Sequence, residues 1–197
     1  MTWELIHEIG RKIIHITILI VLAAYFFIQK TSGKQVALLF LVGLLIIFLV
    51  LEYFRLELEW KMPFFSRFIR PKEQNRMYGV IYFLLSTIIA LSVFDSKIAL
   101  AALLMTTFGD MLAALVGKKY GTTLIYRNKT WAGFLAELIA NLFVGFIVLK
   151  NITGYVYIIL GMAFVATVVE TLVDELDDNL LIPIFSGFIG QIIMLSL

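Results

Sequence analysis

Residues 35–54 read Gln-Val-Ala-Leu-Leu-Phe-Leu-Val-Gly-Leu-Leu-Ile-Ile-Phe-Leu-Val-Leu-Glu-Tyr-Phe, twenty residues with a single charge, at Glu52. A stretch of about 20 apolar residues matches a hydrocarbon core roughly 30 Å thick. Inside hydrocarbon each backbone N–H and C=O must be satisfied within the segment, so the stretch is a helix. It lacks the strict polar and apolar alternation of a transmembrane barrel strand. Similar runs fall at about 13–28, 77–94, 98–117, 131–149, 154–173 and 180–197, three of them interrupted by one acid each, Asp110, Glu137 and Glu170. The sequence therefore predicts an all-α, multi-pass transmembrane bundle of about seven spans, formed as a single domain over residues 1–197.

Composition supports the same reading. Of 197 residues, 61% are apolar and only 15% charged, and the mean hydropathy is +0.98. A soluble domain of this size has too little interior for so much apolar surface. These values exclude a nucleic-acid-binding module and a soluble dehydrogenase. The absence of cysteine excludes disulfides, thiolate metal sites and cysteine nucleophiles.

The charges also assign a sidedness. With the N-terminus in the cytoplasm, 12 of the 16 basic residues lie on the cytoplasmic side, leaving Lys30, Lys34, Lys97 and Lys150 opposite. Glu4 and Glu8 dilute the first basic region and no small-x-small cleavage site stands out, so the first run reads as a span rather than a secretory signal. Glu52, Asp110, Glu137 and Glu170 then fall in the cytoplasmic halves of four spans. An isolated acid there can simply reach interfacial water, but four at one depth beside basic loops suggest pairing, metal binding or catalysis.

Three segments concentrate the chemistry. In Gly109-Asp110-Met-Leu-Ala113-Ala-Leu-Val-Gly117-Lys118-Lys119-Tyr-Gly121, small residues recur every fourth position, giving a stripe for close approach of a backbone or a ligand beside Asp110. In Asn128-Lys129-Thr130-Trp131-Ala132-Gly133, Thr130 is a candidate helix cap with a lysine at its mouth, which suits phosphate or equally an ordinary charged flank. It is not a P-loop. Glu170-Thr-Leu-Val-Asp174-Glu175-Leu-Asp177-Asp178-Asn179 carries five acids, and continuous helix would align Glu170, Asp174 and Asp178, a donor set suited to Mg²⁺ or a solvated turn. Arg11-Lys12-Ile-Ile-His15 adds a histidine within the first span that could orient a hydroxyl, bind phosphate or bond a neighbouring helix.

Taken together, Arg11-Lys12-x-x-His15, Glu52, Gly109-Asp110-x-x-Ala113-x-x-x-Gly117, Lys129-Thr130-x-x-Gly133 and Glu170 with Asp178-Asn179 resemble the polyprenol kinase family, in an order that covers nearly the whole chain. That family includes dolichol kinase, phytol kinase and the CTP-dependent diacylglycerol kinase of yeasts. The Gly-Asp and Lys-Thr-x-x-Gly elements also resemble CDP-diacylglycerol synthases, but the long C-terminal signature of those enzymes is missing.

The resemblance implies transfer of a γ-phosphoryl group, typically from CTP, to the primary hydroxyl of a membrane isoprenoid alcohol, with diacylglycerol as the alternative acceptor. It implies Asp110, Glu170 and His15 as catalytic, and Asp110, Glu170 and Asp178 as ligands of Mg²⁺. Arg11, Lys12, Gly109, Gly117, Lys118, Lys129, Thr130, Gly133 and Asn179 would bind the nucleotide, with Glu52 and Glu137 as further candidates. The expected partners are the lipid alcohol, the nucleotide and membrane lipids, not nucleic acid. The expected location is a prokaryotic cell membrane with the site facing the cytoplasm. A cytidylyltransferase and an ion-coupled transporter are the competing classes; the transporter would spread polar residues through the membrane depth.

Overall fold

The computed structural model describes residues 3–58, 77–173 and 176–197, with side chains described from residue 18 onward. In chain order the elements are α1 (Trp3–Ser32), α2 (Lys34–Glu57), α3 (Gly79–Val93), α4 (Ser96–Tyr120), β1 (Leu124–Tyr126), β2 (Lys129–Thr130), α5 (Trp131–Leu149), α6 (Tyr155–Leu172) and α7 (Asp178–Ser196). They form two compact units, residues 1–88 and residues 89–197, with the boundary inside α3.

The apolar runs become helices as their lengths predict. Five of them, α2, α4, α5, α6 and α7, are long and apolar enough on their own to cross a bilayer. Among the described residues that is fewer than the seven spans expected. The described apolar parts of the other two, Ile18–Ser32 of α1 and Gly79–Val93 in α3, are shorter. At 1.5 Å per residue, fifteen residues of α3 reach only about 22 Å, short of the roughly 30 Å core. The chain is an all-α, multi-pass integral membrane protein.

Breaks between helices follow local chemistry. Gly33, at φ 93°, takes a conformation that a side chain would oppose, and there the chain passes from α1 to α2. Asp95 caps α4 by accepting from the Lys97 N–H at 2.8 Å. Asp177 caps α7 by accepting from the Asn179 N–H at 3.0 Å. The acidic segment is consequently not one helix: α6 ends at Leu172 and α7 begins at Asp178. Glu170 and Asp178 belong to different helices, and Asp174 lies outside the described residues.

In the first unit α1 packs on α2. Near the end of α2, Glu52 is buried and pairs with Arg55 through Nε at 2.9 Å and Nη2 at 2.6 Å. It also accepts the Tyr78 N–H at 2.9 Å, while the Arg55 guanidinium lies 4.1 Å from the centre of the Tyr78 ring.

In the second unit α4 is central, packed against α5, α6 and α7, and its buried residues run from Ile98 to Ala113. α5 shows how one helix serves lipid and protein together. Leu135, Ile139 and Phe143 are exposed along one face, as a lipid-facing stripe should be, while Gly133, Glu137 and Asn141 are buried on the other. The buried hydroxyls of Thr106, Thr107, Thr167, Thr171 and Ser186 each donate to the carbonyl four residues back, which satisfies them inside their own helices.

Candidate active site

The basic connection between α4 and α5 forms a small antiparallel hairpin. Leu124 pairs with Thr130 and Tyr126 with Lys129, and the two-residue turn places Arg127 at φ 47°. Arg127 lies 5.3 Å from the centre of the Tyr126 ring. The hairpin delivers Thr130 to the start of α5, where its hydroxyl oxygen accepts from the Gly133 N–H at 3.2 Å. The expected cap is present.

The glycines of the repeating stripe serve helix contact. A Cβ on Gly133 would stand 2.9 Å from the Ala113 carbonyl and 3.4 Å from the Gly117 Cα, and one on Gly117 would stand 3.0 Å from the Thr130 hydroxyl. A Cβ on Gly121 would collide with Thr130 and with the Gly117 carbonyl. α4 and the start of α5 therefore meet backbone to backbone, as small-residue stripes allow. A Cβ on Gly109 would lie 2.5 Å from Asn141 Oδ1 and 3.1 Å from Glu137 Cγ, so that glycine leaves room for the polar face of α5 beside Asp110.

This packing gathers charges from four helices. Lys129, half-buried, pairs with the buried Glu170 near the end of α6. Asp110 of α4 and Asp178 of α7 also act on Lys129 through space. Burial alone would lower the Lys129 ammonium, but Glu170, Asp178 and Asp110 outweigh that and hold it above the ordinary lysine value. Glu137 interacts electrostatically with Glu170, Asp110 and Lys129.

The expected residues Asp110, Glu170, Asp178, Lys129 and Thr130 thus come together, with Glu137 among them. Asn179 is buried at the start of α7, its side-chain amide donating to Asp177 at 2.7 Å and to Asp178 at 3.2 Å. Lys118 is exposed in the last turn of α4, where a cation complements the helix dipole. Glu52 belongs to the first unit, in the ion pair described above. The side chains of Arg11, Lys12 and His15 lie outside the described residues.

Two buried residues were not singled out from sequence. Asn141 follows Glu137 by one helical turn, and its Nδ2 donates to Thr167 Oγ1 at 3.1 Å and more loosely to Glu137 Oε1 at 3.5 Å. The signal for Asn141 was its i+4 spacing from an acid inside a span; Thr167 carries none beyond its proximity to Glu170.

Among the described residues, no three acidic or histidine side chains stand close enough to hold a metal by themselves. Mg²⁺ does not require such a cage, since it keeps several waters and binds through one or two carboxylates plus substrate phosphates. Hard oxygen donors on Asp110, Glu170 and Asp178 around one lysine fit that ion. The Glu137 Oε2 and Asn141 Oδ1 atoms are buried acceptors with no hydrogen-bond donor.

No family model and no solved structure matches the chain. It is 26% identical to the CTP-dependent diacylglycerol kinase 1 of Schizosaccharomyces pombe over 215 aligned residues, covering 98% of this chain and 96% of that protein. It is 31% identical over 140 residues to the enzyme of the same name from Saccharomyces cerevisiae, with 66% of this chain and 46% of the relative aligned. Phytol kinase 1 of Arabidopsis thaliana is 30% identical over 129 residues, 57% of this chain and 42% of that protein. The chain thus spans less than half the length of the last two relatives, yet nearly all of the first. With the Gly109-Asp110 and Lys129-Thr130-x-x-Gly133 elements meeting at one charged cluster, these similarities place the chain in the polyprenol kinase family of membrane lipid kinases.

Proposed function

We propose that this protein transfers the γ-phosphoryl group of CTP to the primary hydroxyl of a membrane isoprenoid alcohol, such as a polyprenol, dolichol, phytol or geranylgeraniol. The observation that carries the reading is the meeting of Lys129, Asp110, Glu170 and Asp178 at the capped start of α5. Phosphoryl transfer asks a protein mainly for positioning and for electrostatic stabilisation.

Lys129 exchanges Glu170 for a nucleotide phosphate, and the positive end of α5, with Thr130 fixing its first turn, faces the same anion. Lys118 adds positive charge near that end, and Asn179 holds the start of α7 beside Asp178. One or two of the carboxylates Asp110, Glu170 and Asp178, together with the substrate phosphates, would hold Mg²⁺, which when bound neutralises charge on the phosphates. The resemblance, rather than the geometry, assigns Arg11 and Lys12 to the nucleotide and His15 to the hydroxyl. The apolar body of the acceptor stays in hydrocarbon while the nucleotide arrives from the cytoplasm, drawn by the basic connections.

Diacylglycerol is the second reading for the acceptor. It is favoured by the nearly end-to-end alignment with the fission-yeast diacylglycerol kinase.

The test is a product assay with purified protein, Mg²⁺, γ-labelled CTP, ATP or UTP, and a panel of isoprenoid alcohols and diacylglycerol. A labelled isoprenyl phosphate formed from CTP is the expected result. Pyrophosphate release with a CDP-lipid product would replace the kinase by a cytidylyltransferase. Sidedness is checked with Ser66→Cys and Ser96→Cys in the otherwise cysteine-free chain. Position 66 should label from the cytoplasmic face and position 96 from the other, which requires the short α3 between them to cross the bilayer as the seven-span topology has it.

A further inference from the structure

Glu137 and Asn141 lie seven and eleven residues beyond Thr130, about 10 and 16 Å along α5 from its capped end. Glu137 is only 1% exposed and Asn141 is fully buried. Their hydrogen bonds have a definite polarity. The Thr167 hydroxyl gives its one proton to the Ala163 carbonyl at 2.9 Å, so it can only accept from Asn141. That turns Asn141 Nδ2 toward Thr167 and leaves Oδ1 on the side of Gly109. The same Nδ2 reaches Glu137 Oε1 at 3.5 Å, which leaves Oε2 without a donor.

Buried acceptors without donors are rare and costly in native structures, and each requires a physical reason. This one has a chemical direction. Lys129 and the capped end of α5 meet phosphate at the mouth; deeper along the helix, beside the Glu170 carboxyl with which Glu137 shares a side-chain hydrogen bond, Glu137 Oε2 and Asn141 Oδ1 are acceptors without a donor. Acceptors of this kind repel phosphate oxygens and suit an O–H donor. An alcohol whose body lies in hydrocarbon presents such a donor from the membrane side.

We propose that Glu137 is a catalytic residue whose Oε2 accepts the hydroxyl of the lipid substrate, and that Asn141, anchored on Thr167, is the positioning residue that aims it. In the reaction the lipid oxygen forms its bond to the γ-phosphorus while the bond from that phosphorus to the β,γ-bridging oxygen breaks. CDP leaves with the electron pair, and the hydroxyl proton passes to Glu137 Oε2.

This inference rests on the lipid-kinase reading, so the wild-type protein must first form labelled lipid phosphate; failure at that stage overturns the reading itself. Glu137→Gln retains the shape and the acceptor for Asn141. It should lower kcat for lipid phosphate on the order of 10²-fold, the scale of a lost general base. The KM for CTP and the Mg²⁺ concentration for half-maximal rate should stay within about twofold. Glu137→Asp should recover part of the lost rate, and Asn141→Ala should lower kcat about tenfold without raising the KM for CTP, as a misaimed group does.

Full lipid turnover in Glu137→Gln would overturn the proposal. A raised KM for CTP or a raised Mg²⁺ requirement would also overturn it, by making Glu137 a nucleotide or metal ligand. If Glu137→Gln does not elute as a folded species, Glu137→Asp decides: lowered kcat at unchanged KM supports the role, and unchanged kcat overturns it.

Discussion

Glu52 and Glu137 are both glutamates within apolar helices, and both are almost completely buried. Their surroundings differ. Glu52 receives two hydrogen bonds from Arg55 and one from the Tyr78 backbone, so its charge is matched by elements on both sides of the connection between α2 and α3. Glu137 receives one long bond from Asn141, shares a side-chain hydrogen bond with another acid, Glu170, keeps one oxygen without a donor, and lies near Asp110 and Lys129. A buried acid with a complete set of partners is a fastening; one with an incomplete set is available to something that arrives later. Burial and residue type alone do not separate the two cases.

The largest expected effect belongs to the cluster. Asp110→Asn should fold and show no detectable lipid phosphate at saturating Mg²⁺; wild-type turnover in that variant would reduce the contrast with Glu52 to a matter of packing. Next is Gly109→Ala, whose added methyl stands against Asn141 Oδ1. Its kcat should fall about tenfold or more, because a displaced reacting group loses alignment, while elution as a folded species is retained.

Lys129→Ala should raise the KM for CTP about tenfold, consistent with the loss of a charge-assisted phosphate contact, and leave the acceptor KM unchanged. Unaltered nucleotide kinetics would return Lys129 to a purely structural partner of Glu170. Glu52→Gln should do the reverse of Asp110→Asn: a lower melting temperature in detergent, with kcat per folded molecule within about twofold of wild type. If turnover vanishes at unchanged stability, Glu52 is no fastening.

The smallest effect concerns pH. The folded-state value of Lys129 is raised, so the stability it contributes is fully present below the ordinary lysine value of about 10.4 and is lost as pH rises through the raised one. The difference in melting temperature between wild type and Lys129→Met should therefore be flat from about pH 7 to 9 and shrink only in stronger alkali. A change within that range would assign the pair's sensitivity to another group.

Much of this was legible in the sequence because membrane helices declare themselves by length and hydropathy. The runs at 35–54, 98–117, 131–149 and 154–173 lie within a few residues of α2, α4, α5 and α6. Thr130 was legible as a cap because capping is local. The hairpin was not: strands of three and two residues leave almost no periodic signal, and the pairing of Tyr126 with Lys129 is a tertiary fact. Nor could the small-residue stripe be divided between ligand and packing, since Gly117 and Gly133 explain themselves only when α4 and α5 are seen touching. The meeting of Lys129 and Glu170 joins residues 41 positions apart and has no sequence signature. Asn141 was passed over because a single neutral amide in an apolar run resembles tolerated noise.

The two faces of α5 act as a reading frame. Leu135, Ile139 and Phe143 meet lipid, and Gly133, Glu137 and Asn141 meet protein. One residue inserted after Gly133 would turn everything beyond it by about 100° and advance it by about 1.5 Å. Glu137 and Asn141 would swing out of their contacts toward hydrocarbon, and Ala136 and Ala140 would take their places against α4. Substitutions on the outer stripe are spelling changes that a bilayer tolerates. A single insertion or deletion in the first two turns of α5 is a frameshift, and membrane insertion and chemistry should fail in the same variant.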